Sequence, residues 1–142
     1  PIPLSQGDIK SALNTLMNQR YQDAKKASEN GEFEHAEILL KSICSDFRTV
    51  MERSIENDLL CGVVQRFQRP VHTLKLKDLA KLKDADCNLL DSLMTKYSGF
   101  EHSQPTESPV ELPKPDDLLA DMTSLKSWRE EYAKRLASAV AG

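Results

Sequence analysis

Glycine and aromatic residues are scarce in this chain, with 5 glycines and 6% Phe, Tyr and Trp among 142 residues. A β-sandwich or barrel would need many tight turns and many large strand residues, so both architectures are disfavoured. No apolar run approaches the roughly 18 residues of a membrane-spanning helix, and no secretory signal or lipidation motif is present. The expectation is therefore a cytoplasmic protein without a membrane partner. Charge of one sign is not in excess either. The 19 Lys and Arg face 22 Asp and Glu, a formal net charge of -3, so any nucleic-acid contact must use a local basic patch. Cysteine is rare and odd in number: Cys44, Cys61 and Cys87 lie too far apart for zinc-knuckle spacing, and each sits in an apolar helical context. All three read as reduced core residues. No two histidines or cysteines share a helix face at ligand spacing, and no stretch resembles a Walker A loop or a GxGxxG turn, so neither a metal nor a nucleotide cofactor is expected.

What the chain does contain is helical periodicity. Ile9, Leu13, Leu16, Met17 and Ala24 recur at steps of three and four, which predicts a helix over Ser5–Ser28 capped by Ser5 or Asp8. Asn30-Gly31 ends it, because glycine accepts the left-handed conformation that helix C-termini use. Ala36, Leu40, Ile43, Phe47, Val50 and Ser54 then form the seam of a second, long helix from about Glu32 to about Phe67, with Gly62 as a weak point and Pro70 as a stop. Leucines and lysines alternate in "LKLKDLAKLK", compatible with a short strand or a helical turn. Asp84 or Asp86 then caps a helix to about Tyr97, with Leu89, Leu90, Leu93 and Met94 inward. Four of the 7 prolines fall in residues 99–115, which predicts an extended linker. Pro115 with Asp116 and Asp117 opens a last helix carrying Leu118, Leu119, Met122, Leu125, Trp128, Tyr132 and Leu136 on one stripe.

The reading is an all-α fold, an antiparallel helical bundle of four to five helices with a long central helix and a Pro-rich linker before the last one. Residues 1–142 form a single domain: a first helix and turn (1–31), a helical core (32–98), the linker (99–115) and the C-terminal helix (116–138). "ASENGEFEHAEILLKSI" resembles the turn of a tetratricopeptide hairpin, but a solenoid needs about three such units and one is present.

Two sets of residues could carry chemistry. Arg48 and Glu52 lie on one helix face, with Glu56 extending the row. As structure this is an i,i+4 ion pair beside the core, worth roughly 0.2–0.5 kcal/mol. As chemistry, the arginine could hold a phosphate, and the glutamate could orient a histidine or share a proton transfer. His72 follows "RFQRPV" and His102 sits in "KYSGFEHSQP", both near helix ends, while His35 reads as an exposed residue. Arg66, Arg69, Lys75, Lys77, Lys81 and Lys83 form the one local positive concentration. It is either a solvated face or a contact for an RNA backbone, with Phe67 as its only nearby stacking residue.

"SDFRTVMERSIENDLLCGVVQRF", "LMTKYSGFEHSQP" and "LPKPDDLLADMTSLKSWREE" together resemble the C-terminal helical region of large bacterial ATPases related to anticodon nucleases and phage-defence ATPases. The resemblance runs from about Glu37 to about Arg135. It implies that the chain, which opens "PIPLSQGD" without a methionine, is a C-terminal fragment whose partner is the upstream ATPase portion of the same polypeptide. The anticodon-nuclease relatives belong to the HEPN group of helical ribonucleases, which use an arginine, a glutamate four residues later and a downstream histidine without metal. Carried onto this chain, the resemblance implies Arg48, Glu52 and His102, or alternatively His72, as a catalytic set cleaving RNA such as transfer RNA. Arg66, Arg69, Lys75 and Lys96 would contact the RNA. The expected role is thus a regulatory or effector module of an ATPase, not an ATPase by itself. The alternative is a non-catalytic structural or protein-interaction domain. A weak homodimer, with Val110 or Leu112 covering a neighbour, is also expected.

Overall fold

The computed structural model describes residues 8–59, 81–100 and 112–138. Every regular element among these residues is helical. Asp8 starts the first helix from an extended backbone, its carboxylate accepting from the Ser11 amide at 3.2 Å and the Ser11 hydroxyl at 3.1 Å. Of the two expected caps, Asp8 is the one that acts; Ser5 lies outside the described residues. Helix α1 (Ile9–Thr15) passes through a π turn (Leu16–Arg20) into α2 (Tyr21–Glu29) without leaving the helical path. The π turn has a reason in the apolar pattern. Ile9, Leu13 and Leu16 repeat at steps of four and three, and Tyr21, Ala24 and Ala27 at steps of three, but the step from Leu16 to Tyr21 is five positions. A single wider turn absorbs the extra residue and keeps both runs facing the core. It also carries Arg20 toward the helix beyond the hairpin turn (Phe33–Ser54), where the guanidinium pairs with Asp46 and donates to the Ser42 hydroxyl at 2.6 Å.

The hairpin turn is built as its sequence requires. Gly31 has φ +81°, and the amides of Asn30, Gly31 and Glu32 bond back to the carbonyls of Lys26, Ser28 and Ala27 at 2.9, 3.1 and 2.9 Å. A Cβ at Gly31 would meet nothing within 4 Å, so glycine is wanted there for its backbone and not for space.

Helix α3 (Phe33–Ser54) returns along α2 and continues into a second π turn (Ile55–Leu59). Its expected seam is its buried face: Ala36, Ile43, Phe47, Val50 and Ser54 are buried, with Leu40 half-buried. The stretch expected to extend it toward Phe67 lies outside the described residues, as does most of the leucine–lysine alternation. Helix α4 (Asp84–Lys96) buries Leu90 and Leu93, and a 3-10 turn (Ser98–Phe100) follows. Neither Asp84 nor Asp86 occupies its N-cap position, which holds Lys83. Asp86 caps from inside the first turn, its carboxylate accepting the Lys83 amide at 2.9 Å. Helix α5 (Pro115–Ser138) begins at the expected proline, with Asp116 and Asp117 at the positive end of its dipole. Leu118, Met122, Leu125, Trp128 and Tyr132 are its buried stripe.

One hydrophobic cluster joins the five helices of the described residues. Phe47 meets Tyr97 edge-on with ring centres 5.0 Å apart, and Trp128 stacks on Tyr132 at 5.1 Å. Cys44 belongs to this core, whereas Cys87 is exposed on α4 and corrects the expectation of a core thiol there. The periodicity that marks Cys87 as helical does not place it on the inner stripe, since Leu90 and Leu93 define that stripe one step around the helix. Cys61 lies outside the described residues.

Candidate functional site

Arg48 follows Phe47 on α3, so its stem leaves the core edge and its head reaches the surface layer. The Nε of Arg48 donates to Glu52 Oε1 at 3.1 Å, and Nη1 reaches the Tyr97 carbonyl at 3.5 Å. The two side chains are 13% and 24% exposed. The Tyr97 carbonyl lies at the C-terminal end of α4, where backbone carbonyls carry the negative end of the helix dipole and favour a cation. Arg48 therefore ties α3 to the end of α4 while holding Glu52 beside it.

A second polar layer adjoins this one. The Tyr97 hydroxyl donates to Asp121 Oδ2 at 2.7 Å, and Lys96 Nζ pairs with the same oxygen at 2.7 Å. Lys96 Nζ also lies 5.9 Å from the Tyr97 ring centre. Burial, then the hydrogen bond to the Asp121 carboxylate, push the Tyr97 phenol far above its ordinary value, so it stays a neutral donor. Burial likewise pushes the Cys44 thiol up to about 12, which makes it a packing residue and not a nucleophile.

Of the expected residues, Arg48 and Glu52 are in contact, and Lys96 is engaged by Asp121. His102 and His72 lie outside the described residues, as do Arg66, Arg69 and Lys75. His35 is exposed in the first turn of α3, about 20 Å along the helix from Arg48 at 1.5 Å per residue. Among the described residues no group of His, Cys, Asp and Glu is placed to hold a metal ion, and no helix is long and apolar enough to cross a membrane. No protein-family model matches this chain, and no curated protein or solved structure matches it.

Two features lie outside the candidate residues read from the sequence. The first is a carboxylate clasp. Asp86, 2% exposed, accepts from the Lys83 amide, from Trp128 Nε1 at 3.0 Å, and from Arg135 Nη1 and Nη2 at 2.5 and 3.2 Å. Arg135 also donates to the Lys81 carbonyl at 3.3 Å and lies 5.2 Å from the Tyr132 ring centre. Burial is the largest influence on the Asp86 carboxyl and acts to raise its pKa. The Arg135, Lys83 and Trp128 donors outweigh it together and leave the carboxyl below its ordinary 3.8. Asp86 and Trp128 are each visible in the sequence, one as a cap and one as core, but nothing local joins them.

The second is an apolar groove of about 270 Å³ on the open side of the hairpin. Tyr21 and Ala24 of α2, Ala36 and Leu40 of α3, and Leu112 and Pro115 at the approach to α5 form its apolar lining. Phe33 stands on its rim at 70% exposure. The signal for it in the sequence is Phe33 itself, a large apolar residue one helical turn ahead of the α3 seam. The pair Ala24 and Ala36 adds to it, since both leave space where larger side chains would fill the hairpin.

Proposed function

We propose that this chain is a helical protein-interaction module that docks an apolar segment of another protein in the groove between α2, α3 and the start of α5. The observation that carries this reading is the groove itself: an apolar floor with Phe33 held out on the rim at 70% exposure. A large exposed aromatic beside a concave apolar surface has an unfavourable contact with water that a partner would remove. The resemblance to the C-terminal helical region of bacterial ATPases supports the same role, because such a region would act by contacting other parts of a larger assembly. The test is a selection of peptides against the folded chain, repeated on a Phe33→Asp variant. Peptides that bind the wild type and lose binding on the variant are expected. Selected peptides that ignore the substitution would remove the groove from the argument.

RNA cleavage is the second reading, and one observation favours it: Arg48 and Glu52 share a face and touch. In that reading the RNA 2′-hydroxyl loses its proton and attacks the adjacent phosphate, the P–O5′ bond breaks, and the 5′-oxygen leaves as a protonated hydroxyl beside a 2′,3′-cyclic phosphate. Arg48 stabilises the developing charge, and His102 or His72 serves as the general base or general acid. Against it stands the use of Arg48 as a strut, with both Nε and Nη1 engaged inside the protein. A transfer-RNA cleavage assay with EDTA present, comparing the wild type with Arg48→Ala and His102→Ala, separates the readings. The interaction reading expects no difference among the three. Cleavage ending in a cyclic phosphate and lost in both variants would establish the nuclease.

A further inference from the structure

Resting on the docking reading above, the geometry points to a basic amphipathic helix as the occupant of the hairpin groove. The walls are two helix faces: Tyr21, Ala24, Lys25, Ser28 and Glu29 follow the i, i+3, i+4, i+7 pattern on α2, and Phe33, Glu37 and Leu40 do so on α3. A trough between two antiparallel helices accepts the side-chain ridge of a third helix by the same ridge-into-groove packing that joins α2 to α3. Ala24 and Ala36 deepen the trough by lacking the side chains that would fill it. An apolar row at i, i+3 or i+4, and i+7 matches this shape, and an edge-on strand has no open backbone ladder to join among the described residues.

The charge of the rim selects the partner's flanks. Among the described residues, Glu29, Glu37 and Asp116 line the groove against one lysine, Lys25, and the exposed Glu32 and Glu34 bracket Phe33. Glu37 does reach Lys41 at 3.7 Å, but both side chains are more than half exposed. That contact is hydrated and easily exchanged for a partner's cation. Tyr21, at the groove wall, has its phenol pushed up by burial and then by the Asp116 carboxylate, in line with a negative field at this spot. Lys or Arg residues flanking the partner's apolar row would meet that field, and acidic flanks would be repelled by it.

The experiment uses two synthetic four-turn peptides with the same leucine row, one flanked by lysines and one by glutamates, titrated into the full chain and followed by fluorescence anisotropy. The lysine peptide is expected to bind at least about tenfold more tightly than the glutamate peptide, and to weaken as salt rises. Glu29→Lys with Glu37→Lys is expected to abolish that preference. Phe33→Ala, a substitution at an exposed position, is expected to weaken the lysine peptide while Trp128 emission stays unchanged. Equal binding of the two peptides overturns the charge inference and leaves the docking reading standing. Absence of binding by either peptide overturns both. A concentration-dependent dimer that Phe33→Ala dissolves would make a second copy of this chain the occupant, and would also overturn the inference.

Discussion

Arg48 and Arg135 both hold a carboxylate at the edge of the core, yet they join the chain over very different distances. Arg48 and Glu52 are four residues apart on one helix, and the helix places them together whether or not the rest of the bundle forms. Arg135 and Asp86 are 49 residues apart and meet only when α5 packs against the start of α4. The burial differs as well. Glu52 is 24% exposed, while the Asp86 side chain is 3% exposed and surrounded by four donors. A local pair decorates a helix that would exist without it. The long-range contact depends on tertiary packing, and removing its buried carboxylate leaves several donors without their acceptor.

The strongest way to break this comparison is Asp86→Ala. It leaves the Trp128 indole N–H, the Lys83 amide and the Arg135 guanidinium without their shared acceptor. A loss of about 2–3 kcal/mol is expected from the donors left unsatisfied, read as a lower urea midpoint. A loss comparable to that of an exposed pair would show that the clasp does not hold α4 to α5.

Acid sharpens the same contrast. Because the folded Asp86 carboxyl lies below its ordinary 3.8, the stability it contributes is complete well above that value. It is lost as the pH falls through the lower folded value. Trp128 is the only tryptophan and donates directly to Asp86, so its emission should report this loss in acid. In Asp86→Asn the pH-dependent part assigned to this residue should vanish, leaving a flatter stability profile below pH 4. An unchanged acid limb would place the sensitivity in other carboxylates.

Arg48→Ala should cost least among these changes. It removes a half-buried i,i+4 pair and a long bond to the Tyr97 carbonyl, together worth about 1 kcal/mol. A urea midpoint shifted as far as in Asp86→Ala would erase the distinction between the two arginines.

Much of this contrast was open to reading before any tertiary structure was considered. The inward residues of α1 to α5 follow from their spacing, because a helix of 3.6 residues per turn turns a pattern of three and four into a face. Gly31 and Pro115 mark their helix ends through backbone conformation alone. The Arg48–Glu52 contact was equally legible, since four residues along a helix is itself a distance in space. The π turn at Leu16–Arg20 is less legible. Its trace is the five-position step from Leu16 to Tyr21, a break in period that only matters once both runs must face one core.

The long-range features had no such local trace. Asp86 reads as a helix cap and Trp128 as a core residue. That one carboxylate caps α4, accepts the indole and receives Arg135 depends on where α5 lies against α4. The groove beside Phe33 likewise comes from two alanines on facing helices, and neither is unusual within its own helix. Amino-acid order by itself determined the helices, their ends and their buried faces, because those depend on interactions among residues a few positions apart. Tertiary structure decided which buried charge is satisfied and which apolar surface stays open, because both depend on where chain segments distant in sequence come to lie.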